Sequence, residues 1–181
     1  MADFYKNFDL IHNTTDHPTL EGLQYSVVTD IPSANEPVDL AFFKEHARID
    51  FDTDDTLAEV YIIAARRVLE KHTQRSFGPK TLKVTAIHLP KNWRLAYGPV
   101  KDINTADFTA VGDILKEGGD DIEVEYTTDG IQDETVKIAI CRYATGLYVF
   151  RENILDTKLD ARAEMDQAKA MLASYKFITL F

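Results

Sequence analysis

Asp54-Asp55-Thr56-Leu57-Ala58-Glu59-Val60-Tyr61-Ile62-Ile63-Ala64-Ala65-Arg66-Arg67-Val68-Leu69-Glu70-Lys71-His72 is the stretch on which the fold turns. Leu57, Tyr61, Ala64, Ala65, Val68 and His72 recur at helical spacing, and Val60, Ile62, Ile63 and Leu69 widen that face beyond a single stripe. Asp52 or Thr53 is placed to accept from the first free backbone N–H groups, and Asp54 and Asp55 offset the positive helix end. Gly78-Pro79 stops the segment. A helix this apolar requires a core to pack on, and the rest of the chain supplies it.

Upstream, residues 1–22 are polar and aperiodic and read as a flexible arm. Leu23 to Val28 alternates as a half-buried strand does, and Pro32 and Pro37 bound a loop. Asp39 is a cap for a short helix from Leu40 to about Ala47, which buries Leu40, Phe43 and Ala47. Downstream the period changes to two. Leu82, Val84 and Ala86 alternate with Lys83 and Thr85, and Ile122, Val124 and Tyr126 alternate with Glu123 and Glu125. Pro90, Gly98-Pro99, Gly112 and Gly118-Gly119 mark turns between short antiparallel strands.

From Glu134 the helical period returns, with Val136, Ala139, Ile140, Tyr143, Leu147 and Phe150 on one stripe. Ile138, Cys141, Ala144, Tyr148 and Val149 nearly close the circle. A last helix from about Lys158 to Tyr175 turns Ala161, Met165, Ala168, Leu172 and Tyr175 inward. The expected fold is α+β: a mainly helical core of about four helices carrying an inserted, small antiparallel β-sheet lobe over 80–127. A single domain spans 23–176, with an apolar tail at 177–181. Helices apolar almost all round call for either a large core or a partner, and both readings stand for the 136–150 helix.

The 181 residues suit one domain, and 45% apolar with 28% charged residues is ordinary for a globular chain. The single cysteine, Cys141, admits no internal disulfide and fits a reducing compartment. No apolar h-region follows the first residues and no apolar run approaches a membrane span, so a cytoplasmic product is expected. The net charge of −10 is uneven: residues 99–130 hold nine acids against two bases. Gripping nucleic acid requires clustered Lys and Arg, which this pattern lacks.

Catalytic and metal signals fail one by one. Asp50, Asp52 and Asp54 open like a calcium loop, but Asp55 and Tyr61 stand where Gly and a bidentate Glu belong. His12, His17, His46, His72 and His88 have no zinc-type spacing. Gly118-Gly119 precedes Asp120-Asp121 rather than Lys-Ser, so it cannot cradle phosphate. Cys141 reads as an inert buried thiol. No cofactor and no metal are expected, and no enzyme.

One signature is specific. Glu36-Pro37-Val38-Asp39-Leu40, then Lys44-Glu45-His46-Ala47-Arg48-Ile49-Asp50, then Asp54-Asp55 and a helix closing Glu70-Lys71-His72-Thr73-Gln74-Arg75, resembles the phage head–tail connector family. Ala47 stands where that family's pattern has Leu. The motif residues have folding roles: Pro37 fixes the approach to the first helix, Ile49 fills the corner between two helices, and Glu70 and Arg75 tie the long helix to the loop beyond. The resemblance implies a homo-oligomeric ring of about twelve beneath the portal of a long-tailed phage (a siphovirus). That ring joins head to tail, lets DNA pass without specific binding, and touches a portal protein and a tail-completion or stopper protein. It implies no membrane, and a place in the virion after assembly in the host cytoplasm.

Three residue sets carry that expectation. Tyr143, Leu147, Tyr148 and Phe150 are the candidate subunit contact. Phe177, Ile178, Leu180 and Phe181 are the candidate portal-docking segment. Asp120, Asp121, Glu123 and Glu125 are the candidate channel-facing acids. Two other classes stay open: a different virion assembly or tail-completion protein, and a small metal-dependent hydrolase using the acids of 99–130.

Overall fold

The structure, a computed structural model, describes residues 22–32, 35–150 and 155–177. The arm at 1–21 and the tail residues Ile178, Leu180 and Phe181 lie outside the described residues. Four helices, α1 (Leu40–Ala47), α2 (Asp55–Thr73), α3 (Glu134–Phe150) and α4 (Leu155–Met171), make the body, with a 3-10 turn at Ala173–Tyr175. Strands β1 (Gln24–Thr29), β2 (Lys80–Leu89), β7 (Gly119–Thr128) and β4 (Val100–Ile103) form an antiparallel sheet in the order β1-β2-β7-β4. A second, three-stranded sheet is ordered β3 (Trp93–Arg94), β6 (Ile114–Leu115), β5 (Ala110–Val111). The fold is α+β, as expected, with one addition: β1 comes from outside the insertion and pairs with β2 as an edge strand, Tyr25 opposite Val84.

Two cores result. The helical core gathers Phe43 of α1, Ala58, Ile62, Ala65 and Leu69 of α2, Val136, Ala139, Ile140 and Ala144 of α3, and Ala168 with the following Leu172. The lobe core takes the inward period of two long strands, with Leu82 opposite Tyr126, Val84 opposite Val124 and Ala86 opposite Ile122. The alternate residues Lys83, Thr85, Glu123 and Glu125 face the other way, which is why the strands alternate in sequence. Between α3 and α4 the backbones come close at Gly146. A Cβ there would lie 2.9 Å from the Ala161 carbonyl oxygen and 2.8 Å from Met165 Cγ.

Asp39 caps α1, accepting the Phe42 N–H at 2.8 Å. The start of α2 differs from expectation. Its N-cap is Asp54, which makes no side-chain capping bond, and Asp52 accepts Lys44 Nζ at 2.6 Å instead. The inward face of α2 also differs. Ala58, Ile62, Ala65, Arg66, Leu69, Glu70 and Thr73 are buried, whereas Leu57, Val60 and Val68 are exposed. The buried stripe is therefore rotated by about one residue, or roughly 100°, from the apolar maximum. Helix α2 ends at Thr73, with Gln74 in the left-handed region at φ 55°, short of Gly78-Pro79.

Candidate functional site

The residues that decide how the two cores are held relative to each other lie at their junction. On α2, Arg66 is fully buried and is ringed by carboxylates: Glu36 accepts from Nε at 2.8 Å and from Nη2 at 2.9 Å, Glu70 accepts from Nη1 at 3.0 Å, and Asp30 accepts at 3.3 Å. Burial alone would favour a neutral Arg66, but Glu36, Glu70 and Asp30 raise its pKa and hold the charge. Burial likewise pushes Asp30 up, yet the hydrogen bonds from Arg67 and the Ile31 N–H, with the Arg66 charge, bring it down to about 2. Glu70 also takes Lys80 Nζ at 2.9 Å and the Phe77 N–H at 2.8 Å. Lys80 is the first residue of β2, so this cluster bolts the helix to the lobe.

A second knot lies alongside. Asp113, in the β5–β6 turn, accepts from Arg75 at 2.7 Å and from the Val100 N–H at 3.0 Å, with Arg94 at 3.6 Å. The Phe177 ring sits against both guanidinium groups, 5.4 Å from Arg75 and 4.8 Å from Arg94, and its N–H donates to the Thr73 carbonyl at 2.7 Å. Beneath, two backbones cross. Gly130, at φ +74°, lies so close to Gly78 that a Cβ would fall 2.1 Å from the Gly78 nitrogen, and the Ile131 N–H donates to the Ser76 carbonyl at 2.8 Å. The chain thus enters and leaves the inserted lobe at one point.

Each expected residue has a definite place. Tyr143 is buried in the helical core, and Leu147 and Tyr148 pack against it. The Tyr148 hydroxyl donates to Asp54 at 2.7 Å and its ring meets Tyr61 edge-on. Only Phe150 of that set, 44% exposed, presents itself outward. Phe177 belongs to the junction, against Arg75 and Arg94, rather than to a loose tail. Asp120, Asp121 and Glu123 are exposed on β7. Asp120 meets His88 at 2.7 Å, Glu123 meets Lys83 at 2.8 Å, and Glu125 accepts from Asn104 at 2.9 Å, so Lys83 on the neighbouring strand offsets part of the acidity. Glu70 and Arg75 do anchor the end of α2, Glu70 to the next loop and Arg75 to the lobe.

The chemistry of these groups is structural. Burial, then the Asp39 charge, pushes the Cys141 thiol up to about 12, far from a nucleophile's range. Among the described residues no three His, Cys, Asp or Glu side chains gather as a metal site, and no helix is long and apolar enough to cross a membrane. Arg66, Lys80 and Asp113, and the burial of Glu70, are the part not foreseen from the sequence. Arg66 and Glu70 do stand four apart on a helix, but that spacing ordinarily marks a solvated surface pair.

Residues 37–176 match the family described as phage gp6-like head–tail connector protein. The chain belongs to that family. As a head–tail connector it also shares its fold with solved neck components of gene transfer agent particles. One, from the neck of an empty particle computed with C6 symmetry, aligns with TM-score 0.64 at 14% identity, covering 87% of this chain and 97% of the other. Another, from the neck of a native particle computed with C12 symmetry, gives TM-score 0.59 at 16% identity with the same coverage. A comparison with curated proteins gives no match. The connector motif read from the sequence includes Glu36, Glu70 and Arg75, three of the groups that build the junction.

Proposed function

We propose that this connector is a non-enzymatic ring subunit that sits between portal and tail in the virion and lets DNA pass. The observation that carries the reading is the match to the connector family over 37–176, and the likeness to neck components computed with sixfold and twelvefold symmetry supports a ring of about twelve. A ring subunit must hold its shape under load, and the paired charges binding lobe to helices suit that role. Phe150, exposed at the end of α3, stays a candidate for subunit contact.

The acidic strand suits a wall that DNA slides past. Asp120, Asp121, Glu123 and Glu125 repel phosphate wherever they face it, over a Debye length of about 8 Å at physiological salt. The tail docks on the portal through Ile178, Leu180 and Phe181, with Phe177 as its fixed root. Electron microscopy of the purified protein mixed with its portal tests the core of this reading. A ring seated on the portal is expected, and a protein that neither assembles nor binds portal refutes it. Converting Asp120, Asp121 and Glu123 to Lys is expected to slow genome ejection while rings still form.

A further inference from the structure

We propose that the segment Phe4-Tyr5-Lys6-Asn7-Phe8-Asp9-Leu10-Ile11 folds back over β1 of its own copy and fills the groove between β1 and α2. The contact is internal to one subunit and stands apart from the ring reading. The arm at 1–21 is polar as a whole, yet five of its large apolar side chains, Phe4, Tyr5, Phe8, Leu10 and Ile11, fall within eight residues. The stretch that follows, His12 to Thr19, holds only polar residues and Pro18. That is the pattern of an anchor on a polar spacer.

The groove calls for such a cover. Strand β1 ends the order of its sheet, so one of its edges has no strand beside it among the described residues. Gln24-Tyr25-Ser26-Val27-Val28-Thr29 carries neither a charge nor a proline to guard that edge, and open apolar edges are ordinarily covered by a loop or a helix. Val27, opposite Leu82 in the sheet, is 53% exposed. The groove beside it is about 410 Å³. A cavity of roughly 150 Å³ takes one benzene ring, so two aromatic side chains fit. Phe4 and Phe8, a helical turn apart, supply two. Tyr25 and Tyr97, which line the groove and meet edge-on at 5.9 Å, give those rings an aromatic surface to pack on. Arg67 is already paired with Asp30 and Lys80 with Glu70, so these charges ask for no ligand of opposite sign. What the groove lacks is apolar contact.

Position selects this segment as the occupant. Gly22, at φ +69° and packed against Ile87, turns the chain just before it enters β1, so the arm joins the fold at the end of the groove's own wall. From Gly22 to Val27 is roughly 17 Å at 3.3 Å per residue. The spacer from Ile11 to Gly22 spans about 18 Å as a coil. A tether whose length matches the distance to its site gives the highest effective concentration there. The cover also keeps the open edge of an unassembled subunit from pairing with other strands.

The test uses the full chain carrying Phe8→Cys and Val27→Cys, kept too dilute to assemble. Cys141 is buried and stays out of the reaction. Oxidised glutathione is expected to close one intramolecular disulfide, read as a faster-running monomer on a non-reducing gel that reverts with reductant. The control pair Phe8→Cys and Val111→Cys, with its second thiol on the far hairpin of the lobe, is expected to stay open. Equal closure of both pairs, no closure of the first, or covalent dimers in its place overturns the proposal. Hydrogen exchange compares the wild type with Phe4→Asp/Phe8→Asp. The variant is expected to exchange the 24–29 amides at least about tenfold faster, with α2 and α3 unchanged. Equal exchange in β1 overturns the cover. Faster exchange there on removing residues 178–181 instead assigns the groove to the tail and also overturns it.

Discussion

Replacing Arg66 with Met removes the cation at the centre of the junction while keeping the volume and the helix propensity. Arg66 is 1% exposed, and the side chains of Glu36 and Glu70 are 8% and 4% exposed, so the carboxylates cannot turn to water. Deleting one partner of a buried ion pair costs about 3–5 kcal/mol. Glu70 keeps Lys80 and Asp30 keeps Arg67, which places the expected loss near the lower end, about 3 kcal/mol. For a chain of this size that lowers the melting temperature by roughly 6–12 °C. The loss has a pH signature. Asp30 is held down at about 2 against an ordinary 3.8, so its stabilisation is complete above about pH 4 and fades as the pH falls toward 2. Its full size is about 2 kcal/mol by the shift, and nearer 1 kcal/mol after solvent screening of a part-exposed group. Part of it comes from Arg66, so the wild type loses more on acidification and the gap to the variant narrows as the pH falls from about 4 toward 2. Thermal unfolding monitored by circular dichroism at several pH values reads both effects. A shift under about 2 °C at neutral pH, or a gap that widens in acid, contradicts a buried charge network at this junction. The double variant Arg66→Met/Glu36→Leu removes the stranded carboxylate and is expected to recover part of the loss.

Gly130→Ala forces a Cβ into the Gly78 backbone and strains a positive φ, so a loss of at least about 3 kcal/mol is expected in urea unfolding; wild-type stability would mean the two backbones have room to part. Phe177→Ala removes two cation–π contacts and is expected to cost about 1–2 kcal/mol, whereas deleting residues 178–181 is expected to leave stability unchanged; the reverse pattern would move the root of the tail. Cys141, buried and with its pKa pushed up to about 12, is expected to resist iodoacetamide at about pH 8 until the protein is unfolded, and rapid labelling of the native chain would contradict its burial.

Much of the architecture was legible because its signals are local. The alternation of Leu82, Val84 and Ala86 against Lys83 and Thr85 marks a strand wherever its partner lies, and the dense apolar period of 136–150 marks a packed helix. The face of α2 was not legible, since apolarity alone misjudges it. Leu57, Val60 and Val68 look inward by composition yet stand exposed, while Arg66 and Glu70 look outward yet are buried. What buries Arg66 is Glu36, thirty residues away, and what buries Glu70 is Lys80 across a turn. Charges enter a core only when partners converge in three dimensions, and spacing along the chain does not encode that convergence. The place of Tyr148 on α3 was not legible for the same reason. Tyr148 spends its hydroxyl on Asp54, ninety-four residues earlier, and so faces its own helix pair.

The touching backbones at Gly78 and Gly130 also bear on how such a protein can diverge. The chain passes into the segment between them and out of it again at a crossing one peptide wide. Whatever hangs beyond that crossing can lengthen or shorten without moving the end of α2 or the start of α3, provided Lys80 and Asp113 still reach Glu70 and Arg75. The lobe is thus a replaceable cartridge, and two glycines are the latch that lets it be swapped.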